Sequence, residues 1–434
     1  MKRVVYAGFA LGALSVLAYV RALSLPLISD DFGCIETARR YGWADGWNDL
    51  LRDPLYRCRA ISNVIGYWLF EWGGLQPFAY SLASLLFHIL NTFLVAALGL
   101  WKPIGSRVSL PAAAFFAIAE GHQEAVIWFA ALPDLNVFTF TLTAFLAWVL
   151  WLQDGCRSAV RYGFAVAAFL GALLSKESAV ALVGLQVLAL VVARVPLRTA
   201  AIAIAPFTVL ALSYFGVGWT ARRDNHHFSD GTFSLSAPFA WVIVNSTARM
   251  LWIWGFAAIA VLAVWRRRAL MPLLGIALAW SAISLLPYSF LTYMSRVPSR
   301  HTYLASVGLA ILAGAAFVAL YDRFGASQRA VVAFAVCAVL LHNVGYIWTR
   351  KQEQFMERAR PTEELIALAR ETRGAITVEC FPFPRAVAKS AVRLGAGSDP
   401  ARLRFVDAPG CREVRYTVAH SDEALPLIVT VAGP

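Results

Sequence analysis

The sequence predicts an all-α polytopic membrane protein of about eleven transmembrane helices, and three observations carry that expectation. Hydrophobic residues make up 59% of the 434 positions and charged residues only 15%, with a mean hydropathy of +0.62, too little polar surface to cover a water-soluble globule. Apolar runs long enough to cross a hydrocarbon core of about 30 Å recur almost to the end of the chain. Basic residues fall in alternate connections between those runs, the pattern of the positive-inside rule. Backbone facing lipid must satisfy its own hydrogen bonds, so the runs are helices.

In chain order the spans lie near Val4 to Val20, Tyr80 to Leu100, Val108 to Ala119, Val137 to Leu152, Tyr162 to Leu174, Ala179 to Ala193, Thr199 to Val217, Leu251 to Trp265, Leu270 to Phe290, Tyr303 to Leu320 and Ala330 to Trp348. Lys2 and Arg3, Lys102 and Arg107, Arg157 and Arg161, Arg194 and Arg198, Arg266 to Arg268, and Arg323 and Arg329 mark the cytoplasmic connections. The amino terminus is therefore expected inside and the carboxy-terminal region outside. Ala22-Leu23-Ser24 offers a signal-peptide cleavage triplet, but the long apolar core and Arg21 favour an uncleaved anchor. The net charge of +12 is largely this topogenic charge and makes no case for nucleic acid.

The domain reading follows. Residues 1–349 form the membrane domain, with outer loops 23–78 and 218–249, and residues 350–434 form a small outer α/β domain. In the first loop, "DDFGCIETARRYGWADGWNDLLRDP" mixes apolar and charged residues at helical spacing, as amphipathic surface helices do. In the carboxy-terminal region a helix near Thr362 to Arg373 precedes short strand signals in "GAITVECFPF", "RLRFVDAP", "REVRYTVAH" and "LPLIVTVAG". Cys34 with Cys58 and Cys380 with Cys411 are outer pairs that suit disulfides, or equally scattered small hydrophobes. Cys156 and Cys337 are expected to be free.

Long connections usually exist for function, and the candidate site residues all belong to the outer side. Asp30 and Asp31 follow the first span. "AEGHQEAVIWFAALPDLN" carries Glu120, His122, Glu124 and Asp134, and Ser175-Lys176-Glu177 sits between two short spans. A solvated loop start or a snorkelling Lys would explain each cluster alone. Three clusters on one side, at broken helices, point to a shared water-filled cavity. Arg57 and Arg59, and Arg296 and Arg300 beside His301, add positive groups where topology disfavours them, and guanidinium forks suit a phosphate. His226 and His227 with Asp224 could be read as metal ligands beside Arg222 and Arg223, but adjacent residues rarely aim at one ion and a surface loop explains them better. His88 with Asn91 is as well explained by helix-to-helix hydrogen bonds as by a substrate, and stays outside the site.

The ordered series of the acidic pair, Tyr56-Arg57, "PFAYSLASLLFHILNTFLV", "GHQEAVIWFAALPDLN", "LLSKESAVAL" and "SRHTYLASVGLAIL" resembles the membrane module of GT-C glycosyltransferases. The likeness runs from about Val4 to Leu320 and is nearest to the protein O-mannosyltransferase-like and tetratricopeptide-associated membrane families, more distantly to lipid A aminoarabinose transferases. The resemblance implies transfer of a sugar from a polyprenyl-phosphate carrier to a protein, lipid or glycan acceptor on the outer face, with inversion. It makes Asp30 the general base on the acceptor hydroxyl, with Asp31 as its neighbour positioning the acceptor or a cation. Arg57, Arg59, Lys176, Arg296 and Arg300 are the candidates to hold the donor phosphate, while Glu120, His122, Glu124, Asp134 and Glu177 are candidates to contact the acceptor or line the site. No cofactor is specified, and a divalent cation is left open.

Two departures bear on specificity. Cys58 replaces the usual Pro after the Tyr-Arg pair, and Leu132-Pro133 replaces a basic residue before Asp134. The rival class is a transporter or flippase of a lipid-linked or anionic solute, which inverted repeats and mid-depth polar residues would favour; an inactive scaffold is a further reading. The excess of Arg over Lys leans towards a bacterial inner membrane.

Overall fold

The computed structural model describes residues 2–41, 54–220, 233–292, 295–324, 328–406, 413–418 and 429–432. Among the described residues eight helices are long and apolar enough to cross a membrane, and three shorter apolar helices accompany them. Together they match the spans read from the sequence one for one. The chain is an integral membrane protein.

The first span, α1 (Lys2–Tyr19), is followed by α2 (Asp30–Tyr41) and α3 (Pro54–Gly73), which occupy the first long connection. Next come α4 (Pro77–Ala97), α5 (Gly105–Ile118), the short α6 (Gln123–Ile127), α7 (Leu132–Gln153), α8 (Ala159–Leu173), α9 (Ala181–Val192) and α10 (Leu197–Thr220). The bundle closes with α11 (Phe239–Trp265), α12 (Arg267–Leu285), α13 (Ser306–Arg323) and α14 (Arg329–Tyr346). Segment Phe129–Gln153, which contains α7, is 78% buried, whereas Leu197–Thr220 is 11% buried. The bundle is therefore built around α7, with α10 at its lipid-facing edge.

Interhelical hydrogen bonds fix the centre. In lipid, apolar contact between helices competes with contact to hydrocarbon, so close packing and buried polar pairs set the geometry. His88 on α4 lies with Nδ1 2.7 Å from the Tyr303 hydroxyl and Nε2 3.0 Å from the Ala117 carbonyl. Asn91 donates to the Leu135 carbonyl (3.1 Å) and accepts from Thr139 (2.6 Å). Both residues are fully buried and tie helices together. Gly314 lets α13 close on α5: a Cβ there would meet the Val108 carbonyl oxygen and come within 2.8 Å of the Ala112 nitrogen.

Two elements extend further than apolar runs indicate. The sequence spans begin at Leu251 and end at Trp348, but α11 starts at Phe239 with a break at Trp252, and α14 continues through a π turn, Ile347–Lys351, into α15 (Gln352–Glu371). Residues 329–371 are thus one helical segment. Gln, Glu, Arg and Lys are good helix formers, so the helix persists where hydropathy falls. Likewise α2 is no free surface helix. Its Phe32, Ile35 and Ala38 are buried, and Arg39 lies over the Phe70 ring of α3 at 4.2 Å.

The carboxy-terminal unit is α/β. Strands β1 (Ile376–Glu379), β2 (Leu403–Val406), β3 (Glu413–Val418) and β4 (Val429–Ala432) form a sheet in the order β2-β1-β3-β4. The β1 and β2 strands are parallel and joined through α16 (Arg385–Gly395), while the other pairs are antiparallel. Each strand falls within one of the four strand signals. Tyr416 donates to the Pro361 carbonyl at 2.6 Å, anchoring the sheet to α15.

Cys34 is free, as are Cys156 and Cys337; burial pushes the Cys34 thiol up to about 12. Cys380 is disulfide-bonded, while Cys411 and the Cys58 side chain lie outside the described residues. The group Arg222, Arg223, Asp224, His226 and His227 also lies outside them.

Gly314→Ala is expected to lower stability by about 1–3 kcal/mol, because the added methyl meets backbone that cannot turn aside. Thermal unfolding in detergent checks this, with Gly163→Ala, where a Cβ meets nothing within 4 Å, as the control.

Candidate active site

The acidic pair divides into two unlike groups. Asp31 is 2% exposed. One of its carboxylate oxygens accepts from the Ile28 N–H (2.8 Å) and the other from the Ala130 N–H (2.7 Å). It thus fastens the start of α2 both to the preceding chain and to the link before α7. The turn that makes this contact passes through Ser29 at φ 43, a left-handed conformation that a non-glycine residue adopts at a cost. Burial pushes the Asp31 carboxyl up to about 7, against those two backbone donors.

Asp30 heads α2, half-buried, and its carboxylate accepts no hydrogen bond among the described residues. Burial raises its pKa from the ordinary value, and the charges of Arg300, Arg358 and Arg59 pull it partway back. A carboxylate of raised pKa is a stronger base, and this one is uncommitted.

The arginines come from three separate elements. Arg59 sits at a break in α3, with φ −138 and ψ 23 inside the helix. The Ile61 N–H just beyond donates to the Leu174 carbonyl at 3.2 Å, joining the break to the turn before Lys176. Arg300 lies over the Trp128 ring at 4.9 Å and 3.9 Å from a Glu124 oxygen. Its backbone N–H donates to the same carboxylate at 3.2 Å. Burial raises the Glu124 pKa, but hydrogen bonding and the Arg300 charge bring it below the ordinary value. Arg358, on α15, lies over the same Trp128 ring at 4.7 Å, and the Trp128 indole donates to the Ile28 carbonyl at 3.3 Å.

A second, saturated network lies beside the first. Lys176 and Asp134 are each 4% exposed and paired at 2.7 Å. Tyr288 donates to Asp134 at 3.1 Å and its oxygen lies 2.7 Å from Ser178 Oγ. His301 stacks on the Tyr288 ring at 4.1 Å, with Nδ1 3.4 Å from both the Lys176 ammonium and an Asp134 oxygen. Burial lowers the His301 pKa to about 4, so the ring is neutral at pH 7. Asp134, Ser178, Tyr288, Arg300 and His301 line one small cavity, where the two networks meet.

The structure gathers Asp30, Asp31, Arg59, Glu124, Asp134, Lys176, Arg300 and His301 at one end of the bundle. Glu177 adjoins Lys176 with its side chain exposed. His122 is buried, 2.7 Å from Ser306 Oγ and packed among Phe116 and Tyr303, a core position. Glu120 turns towards α14, where its N–H donates to the Asn343 side chain at 2.9 Å; burial raises its pKa, with His342, Lys351 and Arg249 opposing. Arg296 is exposed and makes no hydrogen bond or ion pair among the described residues. Arg57 lies in α3, its side chain outside the described residues. The sequence reading missed Trp128, Tyr288 and Arg358. The first two lay within quoted or neighbouring apolar runs, and Arg358 lay in a charged helix with no signal of its own.

Among the described residues no three His, Cys, Asp or Glu side chains gather where they could hold a divalent cation, and Asp31, expected to position the acceptor or a cation, has both oxygens committed to backbone.

Against solved structures the chain gives a TM-score of 0.51 with ArnT from Cupriavidus metallidurans in the apo state, at 17% identity over 92% of this chain and 75% of that one. The same protein bound to undecaprenyl phosphate gives 0.50, at 16% identity over 90% and 74%. The chain has the GT-C fold. The apo oligosaccharyltransferase of Archaeoglobus fulgidus also gives 0.50, at 12% identity over 90% of this chain and 60% of that one. No protein-family model and no curated protein matches by sequence.

Lys176→Met leaves the Asp134 charge buried without its partner and is expected to cost about 3–5 kcal/mol, whereas Lys176→Met with Asp134→Asn should cost less than the sum of the two single changes. A double-mutant cycle of unfolding midpoints measures the difference.

Proposed function

We propose that this protein is an inverting glycosyltransferase that moves a sugar from a polyprenyl-phosphate carrier to an acceptor hydroxyl or amide on the extracytoplasmic face. The observation that carries the reading is Asp30, a half-buried carboxylate with no hydrogen bond among the described residues, held under the charge of arginines from separate elements. A structural carboxylate would have its oxygens occupied, as Asp31 does.

The chemistry is a single displacement. The acceptor O–H or N–H approaches the anomeric carbon as its proton passes to Asp30. The bond from that carbon to the phosphate oxygen breaks, and the lipid phosphate leaves with one more negative charge. Attack opposite the leaving group inverts the anomeric configuration. Arg59 and Arg300 stabilise the developing charge, which fixed donors in a water-poor site do at little reorganisation cost. Arg57 is a further cation of this phosphate site, while Lys176, neutralised by Asp134, holds the turn beside it in place. Glu124 orients Arg300. The polyprenyl tail runs between apolar helices, so donor from lipid and acceptor from water meet at the end of the bundle. The membrane is read as a bacterial inner membrane, with the carboxy-terminal unit in the periplasm.

Transfer of labelled sugar from a panel of polyprenyl-phosphate donors to envelope acceptors, in reconstituted membranes, tests the reading. Asp30→Asn is expected to lower the transfer rate about 10²–10⁴-fold, the scale of a lost general base, while donor binding persists. Unchanged transfer by Asp30→Asn removes the base assignment, and absence of transfer with every donor removes the enzyme reading.

The pH profile has a defined sign. The base works ionised, so the rate falls as pH drops through a pKa raised above the ordinary carboxylate value. Arg300→Gln deletes a charge that lowers that pKa, so its acid limb should move to higher pH. A limb that moves the other way contradicts the assignment.

A further inference from the structure

We infer that Arg358, carried by the carboxy-terminal helix α15, binds the phosphate of the lipid-linked substrate, which makes the carboxy-terminal unit part of the active site. The inference rests on the glycosyltransferase reading and adds a residue from a segment outside the membrane module that the resemblance covers.

The geometry is specific. Arg358 is half-buried, with its guanidinium 4.7 Å from the Trp128 ring centre and 5.8 Å from that of Phe355. Among the described residues it makes no hydrogen bond or ion pair, so a fork of five donors is held in position by aromatic faces alone. Arg300 shares Trp128 but is engaged with Glu124. The charge of Arg358 acts on Asp30, Asp31 and Glu124 together. A planar cation with its donors unoccupied, beside a carboxylate with its acceptors unoccupied, fits a donor phosphate at the first and an acceptor proton at the second.

The carboxy-terminal unit is built to hold that position. The helix continues from the last span through the π turn, which limits how far Arg358 can swing. On the other side, Ser390 and Arg393 of α16 both bond the Glu36 carboxylate of α2. The helix that starts at Asp30 is thereby pinned to the unit that supplies Arg358.

The experiment uses the full chain in phosphatidylcholine nanodiscs, with undecaprenyl phosphate as probe and undecaprenol as its uncharged counterpart. Wild type should prefer the phosphate, and Arg358→Gln should weaken phosphate binding about tenfold, the loss of a charge-assisted contact, without changing undecaprenol binding. Arg360→Gln, an exposed position on the same helix, should leave both unchanged. In wild type, undecaprenyl phosphate but not undecaprenol should protect Arg358 from phenylglyoxal, read by peptide mass, and this arm stands even where Arg358→Gln fails to fold. Phosphate preference in wild type with neither protection nor a loss in Arg358→Gln overturns this inference alone. No phosphate preference in wild type overturns the glycosyltransferase reading with it.

Discussion

The arrangement of the site depends on the Asp31 carboxylate and the two backbone N–H groups it accepts. Those N–H groups belong to Ile28, at the end of the first span's connection, and Ala130, in the link that leads into the central helix α7. A buried carboxylate is tolerable only when its oxygens are satisfied, and these are. The contact ties three pieces of chain that no regular ladder joins. It also accounts for the left-handed turn at Ser29, whose conformational cost is offset by two charge-assisted bonds. With Asp31 fixed, the position of Asp30 at the head of α2 follows.

From that fixed point the ionisable groups sort into two populations. Asp134, Lys176, Tyr288 and Ser178 are mutually bonded and almost wholly buried. Such a set organises helices α7 and α12 and the turn before α9, and offers little to a ligand without being broken. Asp30 and Arg358 are half-buried and uncommitted among the described residues. Both populations cost desolvation, but only the first recovers it within the protein. Groups left partly desolvated and unsatisfied at the end of a membrane bundle are the ones a ligand can complete.

The spans were legible because lipid imposes a length and an apolar composition on each, and the acidic pair was legible because charge is conspicuous after an apolar helix. The family resemblance points to Asp30 as the base, but which aspartate the backbone holds was not legible in the residues themselves. Asp30 and Asp31 are adjacent and chemically alike, and only the positions of the Ile28 and Ala130 N–H groups, the second far along the chain, separate a staple from a free carboxylate. Lys176 and Arg300 looked equivalent as cations; the buried pairing with Asp134 distinguishes them. His122 looked like a site residue because it sat among acids, yet the polypeptide turns there and the ring enters the aromatic core beside Tyr303. Arg358 carried no signal, because an arginine among charged residues of an amphipathic helix reads as solvated surface.

The irregular backbone around the site has the same origin. The connection between α5 and α7 is a succession of short turns, and the turn before Lys176 interrupts what would otherwise be one helical pair. Lipid-exposed backbone cannot adopt such forms, since each unpaired N–H or C=O costs several kcal/mol there. Here the freed groups are taken up internally: the Ala130 N–H by Asp31, the Leu174 carbonyl by Ile61 and the Arg300 N–H by Glu124. Each of these bonds brings an ionisable side chain to the same end of the bundle. Breaking the helices is therefore what assembles the site. Asp31 and Glu124 are spent on that backbone, whereas Asp30 accepts no hydrogen bond among the described residues.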